Sequence, residues 1–186
     1  MQKIFKLFID FDKTITKIDV GESLFRHFGN KEIVDSIISR LLSDEISARE
    51  CWEELCKNVS INKDDIDLFI EDVEIDKTLF SLIEFCNRNG IEIFILIDGF
   101  DYYINKILKR ERLEKIKVFS NKLSFNGSRK LIPVFPYYSA DSPVSANCKR
   151  NHVIENSGDD EYTVFVGDGN SDKDTVQFCD FIFAKD

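Results

Sequence analysis

The sequence of 186 residues predicts an α/β domain, a mainly parallel sheet with helices on both faces, with an all-helical block inserted after its first strand. Three observations predict it. Residues 4–9, 91–97 and 162–166 are short, almost wholly apolar runs, the pattern of strands buried on both faces. Segments with helical spacing lie between those runs. Each run is followed within one or two residues by an aspartate, Asp10, Asp98 or Asp168. In such folds sites lie at the carboxyl ends of the strands, so three acidic tips are expected to converge.

The first strand ends at Asp10. From residue 17 the pattern becomes helical: Leu24, Phe25 and Phe28 suit one helix, and Ile33, Ile37, Ile38, Leu41 and Leu42 a second. Ser47 with Glu50 forms a capping box opening a third, which carries Trp52, Leu55 and Cys56. Asp64 and Asp65 start a fourth through Ile66, Phe69 and Ile70. Asp76 caps a helix that stops at Asn89-Gly90. After the strand at 91–97, a helix is expected over 102–113. Short strand pieces at 118–119, 123–125 and 131–135, split by Asn-Lys and Asn-Gly turns, make an antiparallel excursion that carries Pro133, Pro136 and Pro143. A helix over 147–155, the strand at 162–166, a helix capped by Ser171 or Asp172 and a last strand at 181–184 complete the order. The expected division is a core of residues 1–16 and 76–186, with a helical cap over 17–75.

Composition narrows the function. Hydrophobic residues make up 43% of the chain, with seventeen Phe, enough for a packed core. The net charge of −9, from 34 acidic and 25 basic residues, argues against a nucleic-acid binder, which needs a basic face. No run of eighteen apolar residues occurs, so no membrane span is expected, and Asp10 and Asp12 interrupt the start too early for a signal peptide. The five cysteines, Cys51, Cys56, Cys86, Cys148 and Cys179, form no C-x-x-C pair and are odd in number. They read as buried thiols in a reducing, cytoplasmic setting. With two histidines, a Cys/His zinc site has little support.

Asp10-Phe11-Asp12-Lys13-Thr14 places two carboxylates two residues apart just past a buried strand. Such a pair suits a metal ion, a division into acid and base, or a solvated turn. Gly167-Asp168-Gly169-Asn170-Ser171-Asp172 adds a tight turn and two more carboxylates. Oxygen-only donors fit a hard cation, and Mg²⁺ keeps several waters beside few carboxylates. The spacing and closing Glu of an EF-hand loop are missing. Lys149, before the last acidic strand, can offset that charge and hold a phosphate, or be a surface lysine.

These motifs, in this order, resemble the haloacid dehalogenase-like hydrolase superfamily, which has a Rossmann-like sheet. Residues 8–16, 99–103, 147–150 and 183–186 are similar to its phosphoserine-phosphatase branch and, within it, to phosphatases related to methionine salvage. The resemblance runs from about Lys3 to the last residue. It implies that Asp10 is a nucleophile forming an aspartyl-phosphate, and that Asp12 first acts as acid and then as base. It implies Mg²⁺ held by Asp10, the carbonyl of Asp12 and Asp168, with Asp172 orienting water around it. Lys149 would bind nucleophile and phosphate. Glu22 and Arg49 are candidate cap contacts to substrate, with surface charges as the alternative. The family also implies a helix beyond the last strand, whereas this sequence stops at Asp186.

One departure matters. The family places Ser or Thr at the second strand tip, where this chain has Ile97, and residues 91–101 contain neither. Losing a hydrogen bond to a charged group costs about 1.5–3 kcal/mol, roughly tenfold to a hundredfold in rate. The backbone N–H groups of Asp98 and Gly99 remain to meet a phosphate, and Asp98 must turn away or bind Lys149. The expected function is therefore a magnesium-dependent hydrolase of a small phosphorylated metabolite. A phosphotransferase, or a phosphate-binding regulator with weakened turnover, is the alternative.

Overall fold

The computed structural model describes residues 4–127, 129–169 and 172–185. Asn170 and Ser171 of the glycine-rich turn, Lys3 and Asp186 lie outside the described residues. β1 (Ile4–Asp10) leads into α1 (Val20–Phe28), α2 (Lys31–Leu42), α3 (Ala48–Asn58) and α4 (Lys63–Glu71). Then come α5 (Thr78–Asn89), β2 (Glu92–Phe100), α6 (Asp101–Arg110) and the hairpin β3 (Lys117–Asn126) and β4 (Lys130–Val134). α7 (Lys149–Glu155), β5 (Glu161–Gly167), α8 (Lys173–Val176) and β6 (Phe181–Ala184) close the order.

The strands lie in the order β4-β3-β2-β1-β5-β6, every neighbouring pair parallel except β3 with β4. The α/β fold class follows. β1 is central, and successive side chains on it point to opposite faces. Leu7 and Ile9 enter the larger core, which continues into α1–α6. Phe8 enters the smaller one with Phe94, Leu96, Val153 and Phe165. There the Phe8 and Phe94 rings stack at 5.0 Å.

The hairpin differs from the sequence expectation. Instead of pieces split at Asn121-Lys122, β3 is one strand of ten residues. Asn121 is fully buried and its amide donates to the Asp98 carbonyl at 2.6 Å, so it serves the sheet and not a turn. β2 likewise runs past residue 97 to Phe100, through an irregularity in its pairing with β3.

The helices of residues 17–75 start at polar caps: Asp19 and Asn30, then complete capping boxes at Ser47 and Asn62. Chain entry and exit lie side by side. Thr16 and Ile75 form an antiparallel bridge, Lys17 N–H donates to the Glu74 carbonyl, and Asp76 N–H donates to that of Ile15. Two further ties reach the rest of the molecule. Arg110 of α6 donates to the carbonyls of Ile70, Glu71 and Val73 at the end of α4. Ala48 N–H, at the start of α3, donates to the Val144 carbonyl.

Phe8 has no exposed surface and its ring stacks on that of Phe94. Phe8→Ala should lower the unfolding free energy by about 3–5 kcal/mol, read from urea unfolding, and Phe8→Leu by less than about 1.5 kcal/mol.

Candidate active site

Asp10 is the last residue of β1, 3% exposed, and paired with Leu96 of β2. The chain turns at once. The Phe11 carbonyl accepts the N–H groups of Ile15 and Thr16, and Lys13 takes a left-handed conformation at φ 57°. That turn swings Asp12 back, where its Oδ1 accepts the Val20 N–H at 2.9 Å. Across β5, the Gly167 turn brings in the other carboxylates. A Cβ on Gly167 would lie 2.3 Å from Asp172 Oδ2, so only glycine leaves that carboxylate its place. Lys149, first residue of α7, puts Nζ 2.6 Å from Asp10 Oδ1 and 2.7 Å from Asp172 Oδ1. Asp10, Asp168 and Asp172 each offer an oxygen within 4.8 Å of one another. The strand tips thus bring Asp10, Lys149, Asp168 and Asp172 together, with Asp12 next to them in the chain.

Electrostatics at this point are set by burial. Burial pushes the Asp10 carboxyl up to about 6, with the Lys149 ammonium pulling it down and Asp172 adding to the rise. Asp12 is held well above the ordinary carboxylate range by burial and by the charges of Asp19 and Asp10, against the Val20 N–H bond. Burial works against the charge on Lys149, but Asp10 and Asp172 outweigh it and the amine stays protonated. Three gathered carboxylates with one ammonium still call for positive charge. Their all-oxygen donor set fits a hard divalent cation.

At the tip of β2 the predicted phosphate-binding residues are arranged differently from each other. The Asp98 carboxylate is turned to the loop before α7, accepting the Asn147 N–H at 2.5 Å. Burial raises its pKa, and Lys149 with the Asn147 and Ala146 N–H groups pulls it back. Gly99 is buried against the Tyr103 hydroxyl, which accepts the Phe100 N–H at 3.0 Å. Ile97 is 1% exposed in the larger core, so its side chain brings no polar atom to this tip.

Glu22 on α1 pairs with Arg26 at 2.7 Å. Arg49 on α3 pairs with Glu53 at 3.0 Å and lies over the rings of Tyr138 and Phe135 in the loop after β4. None of these contacts is to Asp10, Asp12 or Lys149. Residues not assigned to a site from the sequence also converge here: Asn121, Asn147 and His152 behind the β2 tip, and Trp52, whose ring meets Phe100 edge-on at 5.0 Å. A signal existed for Asn147 alone, in the quartet Asn147-Cys148-Lys149-Arg150.

A family model described as Putative Phosphatase matches residues 5–185. The chain belongs to this family. Curated relatives of this phosphatase include a 2-hydroxy-3-keto-5-methylthiopentenyl-1-phosphate phosphatase of Bacillus mycoides, 28% identical over 97% of this chain and 83% of the relative. The protein of that name from Bacillus cytotoxicus is 26% identical with the same coverage. Among solved structures, a substrate-bound phosphoserine phosphatase superposes with a TM-score of 0.75 at 18% identity, covering 99% of this chain and 87% of the other. A phosphoserine phosphohydrolase-like protein from Francisella tularensis gives 0.74 at 19%, covering 97% and 87%. The phosphatase has the haloacid dehalogenase-like fold. Among the described residues no helix is long and apolar enough to cross a membrane.

Burial lowers the His152 imidazole from its ordinary 6.5 to about 4, with Lys117 adding to the fall. The unfolded chain therefore takes up this proton first on acidification, so the stability due to His152 is full above about pH 6.5 and lost toward pH 4. Melting temperatures across that window should fall more steeply for the native phosphatase than for His152→Phe.

Proposed function

We propose that this phosphatase is a magnesium-dependent phosphomonoester hydrolase that works on a small phosphorylated metabolite through an aspartyl-phosphate. The observation that carries the proposal is the buried contact of the Lys149 ammonium with Asp10 and Asp172 at the strand tips. Asp10 is the nucleophile in this scheme. Its Oδ1 is held by Lys149, which leaves the carboxylate fixed in direction and its charge partly balanced. Lys149 stays protonated and can hold the transferring phosphoryl oxygens as charge shifts onto them.

Asp12 carries the proton. Burial raises the pKa of this carboxyl, so it holds its proton more tightly than an exposed aspartate and is suited to donate it to the leaving oxygen. As the resulting carboxylate it then takes a proton from the water that opens the aspartyl-phosphate. Its Val20 N–H bond keeps it pointed in one direction during both steps. Asp10, Asp168 and the Asp12 carbonyl would hold Mg²⁺, with Asp172 beside them. The bound ion supplies positive charge that lets an anionic nucleophile approach an anionic ester.

Residues 17–75 we assign as a cap over this site, with 1–16 and 76–186 as the catalytic core. Its Glu22 and Arg49 are the assigned substrate contacts, reached by a change of partner from Arg26 and from the Tyr138 and Phe135 rings. Ile97 favours a second reading, a phosphate-binding regulator with little turnover, because residues 91–101 contain no Ser or Thr to replace the missing hydroxyl.

The test is phosphate release with Mg²⁺ from a panel holding 2-hydroxy-3-keto-5-methylthiopentenyl-1-phosphate, phosphoserine and other small esters. Asp10→Asn should abolish release, Lys149→Met should cost at least about a hundredfold, and chelation should stop the native protein. Full activity in Asp10→Asn would remove the nucleophile assignment. Phosphate binding without release from any ester would favour the regulator.

A further inference from the structure

β2 and β3 are out of step where the chemistry begins. Leu96 pairs with Phe119, but the next pair is Phe100 with Asn121, so residues 97–99 stand opposite Ser120 alone. A bulge of this kind takes backbone groups out of the ladder, and when buried they need other partners. Two buried asparagines supply them. Asn121 donates from Nδ2 to the Asp98 carbonyl. Asn147 donates from Nδ2 to the carbonyls of both Ile97 and Phe119, each at 2.8 Å, and from its backbone N–H to Asp98 Oδ1. It thereby bridges the bulged strand and its neighbour.

Carbonyls only accept, so the NH₂ of Asn147 must face them and Oδ1 must face away. Oδ1 lies 2.7 Å from His152 Nε2. An amide oxygen also only accepts, so Nε2 carries the hydrogen and Nδ1 is bare. The structure agrees: Nδ1 is buried with no partner among the described residues, where a proton would be stranded. The imidazole is 2% exposed, stacked on Phe119 at 4.0 Å and met edge-on by Tyr137. It has one orientation and one tautomer. Asn147 precedes Lys149 by two residues, so the same amide links the β2 tip to the loop that delivers the lysine.

We propose that Asn147, oriented by the Nε2–H of His152, is a positioning residue that fixes the bulge at residues 97–99 relative to Lys149 and Asp10. The inference rests on the hydrolase reading above, in which the Asp98 and Gly99 backbone meets the phosphate. With Ile97 in place of a hydroxyl, the β2 tip adds no Ser or Thr beside Lys149, and the placement of that backbone counts for more.

His152→Phe keeps the ring and its stacking but removes the donor. His152→Gln restores an N–H donor at a similar reach. Each is compared with the native full chain, with Mg²⁺, by turnover of p-nitrophenyl phosphate and by calorimetric binding of inorganic phosphate. Thermal melts correct each variant for its folded fraction. Changes to groups that orient a reacting residue typically cost 10–100-fold, so His152→Phe should lower kcat and weaken phosphate binding by about that factor, with His152→Gln recovering most of both. Unchanged kcat and phosphate affinity in His152→Phe, or equal failure of both variants, would reduce the pair to core packing. A native protein that binds phosphate but turns nothing over sinks the hydrolase reading alone, and phosphate affinity then decides the positioning role. Nitrogen-15 NMR gives a readout free of any ligand, because His27 is the sole other histidine. Protonated Nε2 and bare Nδ1 on His152 are expected, and the opposite tautomer would overturn the inference.

Discussion

The Lys149 ammonium joins Asp10 to Asp172 at the end of this molecule where the strands stop. It is 3% exposed, and so is Asp10, one of the carboxylates it contacts. A charge so placed is tolerable only with its partners in contact, and removing one side of such a contact typically costs about 3–5 kcal/mol. Much of the surrounding geometry serves that meeting. β1 must end at Asp10, α7 must begin at Lys149, and the β5 turn must be narrow enough at Gly167 for Asp172 to enter. The proposed chemistry uses the same contact, so folding and reactivity depend on one cluster.

The carboxylates around it are not equivalent, though they share one residue type. Asp10 accepts a hydrogen bond from the lysine, whereas Asp12 accepts one from the Val20 N–H at the start of α1. Two aspartates separated by one residue thereby have different partners, which suits the proposed division between attack and proton delivery. Asp98, a third carboxylate, is diverted to a structural bond with Asn147. That diversion keeps its charge directed at an N–H group at the tip where an anion is proposed to sit.

Most of the fold was legible because it follows from local chemistry. Apolar runs mark buried strands, and the Ser47–Glu50 box, the Asn89-Gly90 stop and the aspartates after each strand need no partner from elsewhere in the chain. What stayed hidden depends on long-range partners. Asn121 carries the side chain of a turn former, yet it is committed to a carbonyl on the neighbouring strand, which joined two expected pieces into β3. The bulge after Leu96 has no composition of its own, since it is defined by register against Phe119 and Asn121. Asn147 and His152 look like an ordinary polar residue and an ordinary helix residue until the strands behind them are in place. The partners of Arg49 were equally out of reach, because Phe135 and Tyr138 come from a proline-marked loop far along the chain.

The helices of residues 17–75 leave and rejoin the sheet at one point, where Thr16 and Ile75 face each other across a single bridge. To the sheet, such a block is a closed loop whose length need not alter the spacing of its strands. Mutation on its surface away from Val20, Ala48 and the Ile70–Val73 carbonyls can therefore rewrite it without moving Asp10 relative to Lys149. In lineages that keep this junction, choice of substrate and capacity for reaction can diverge on separate clocks.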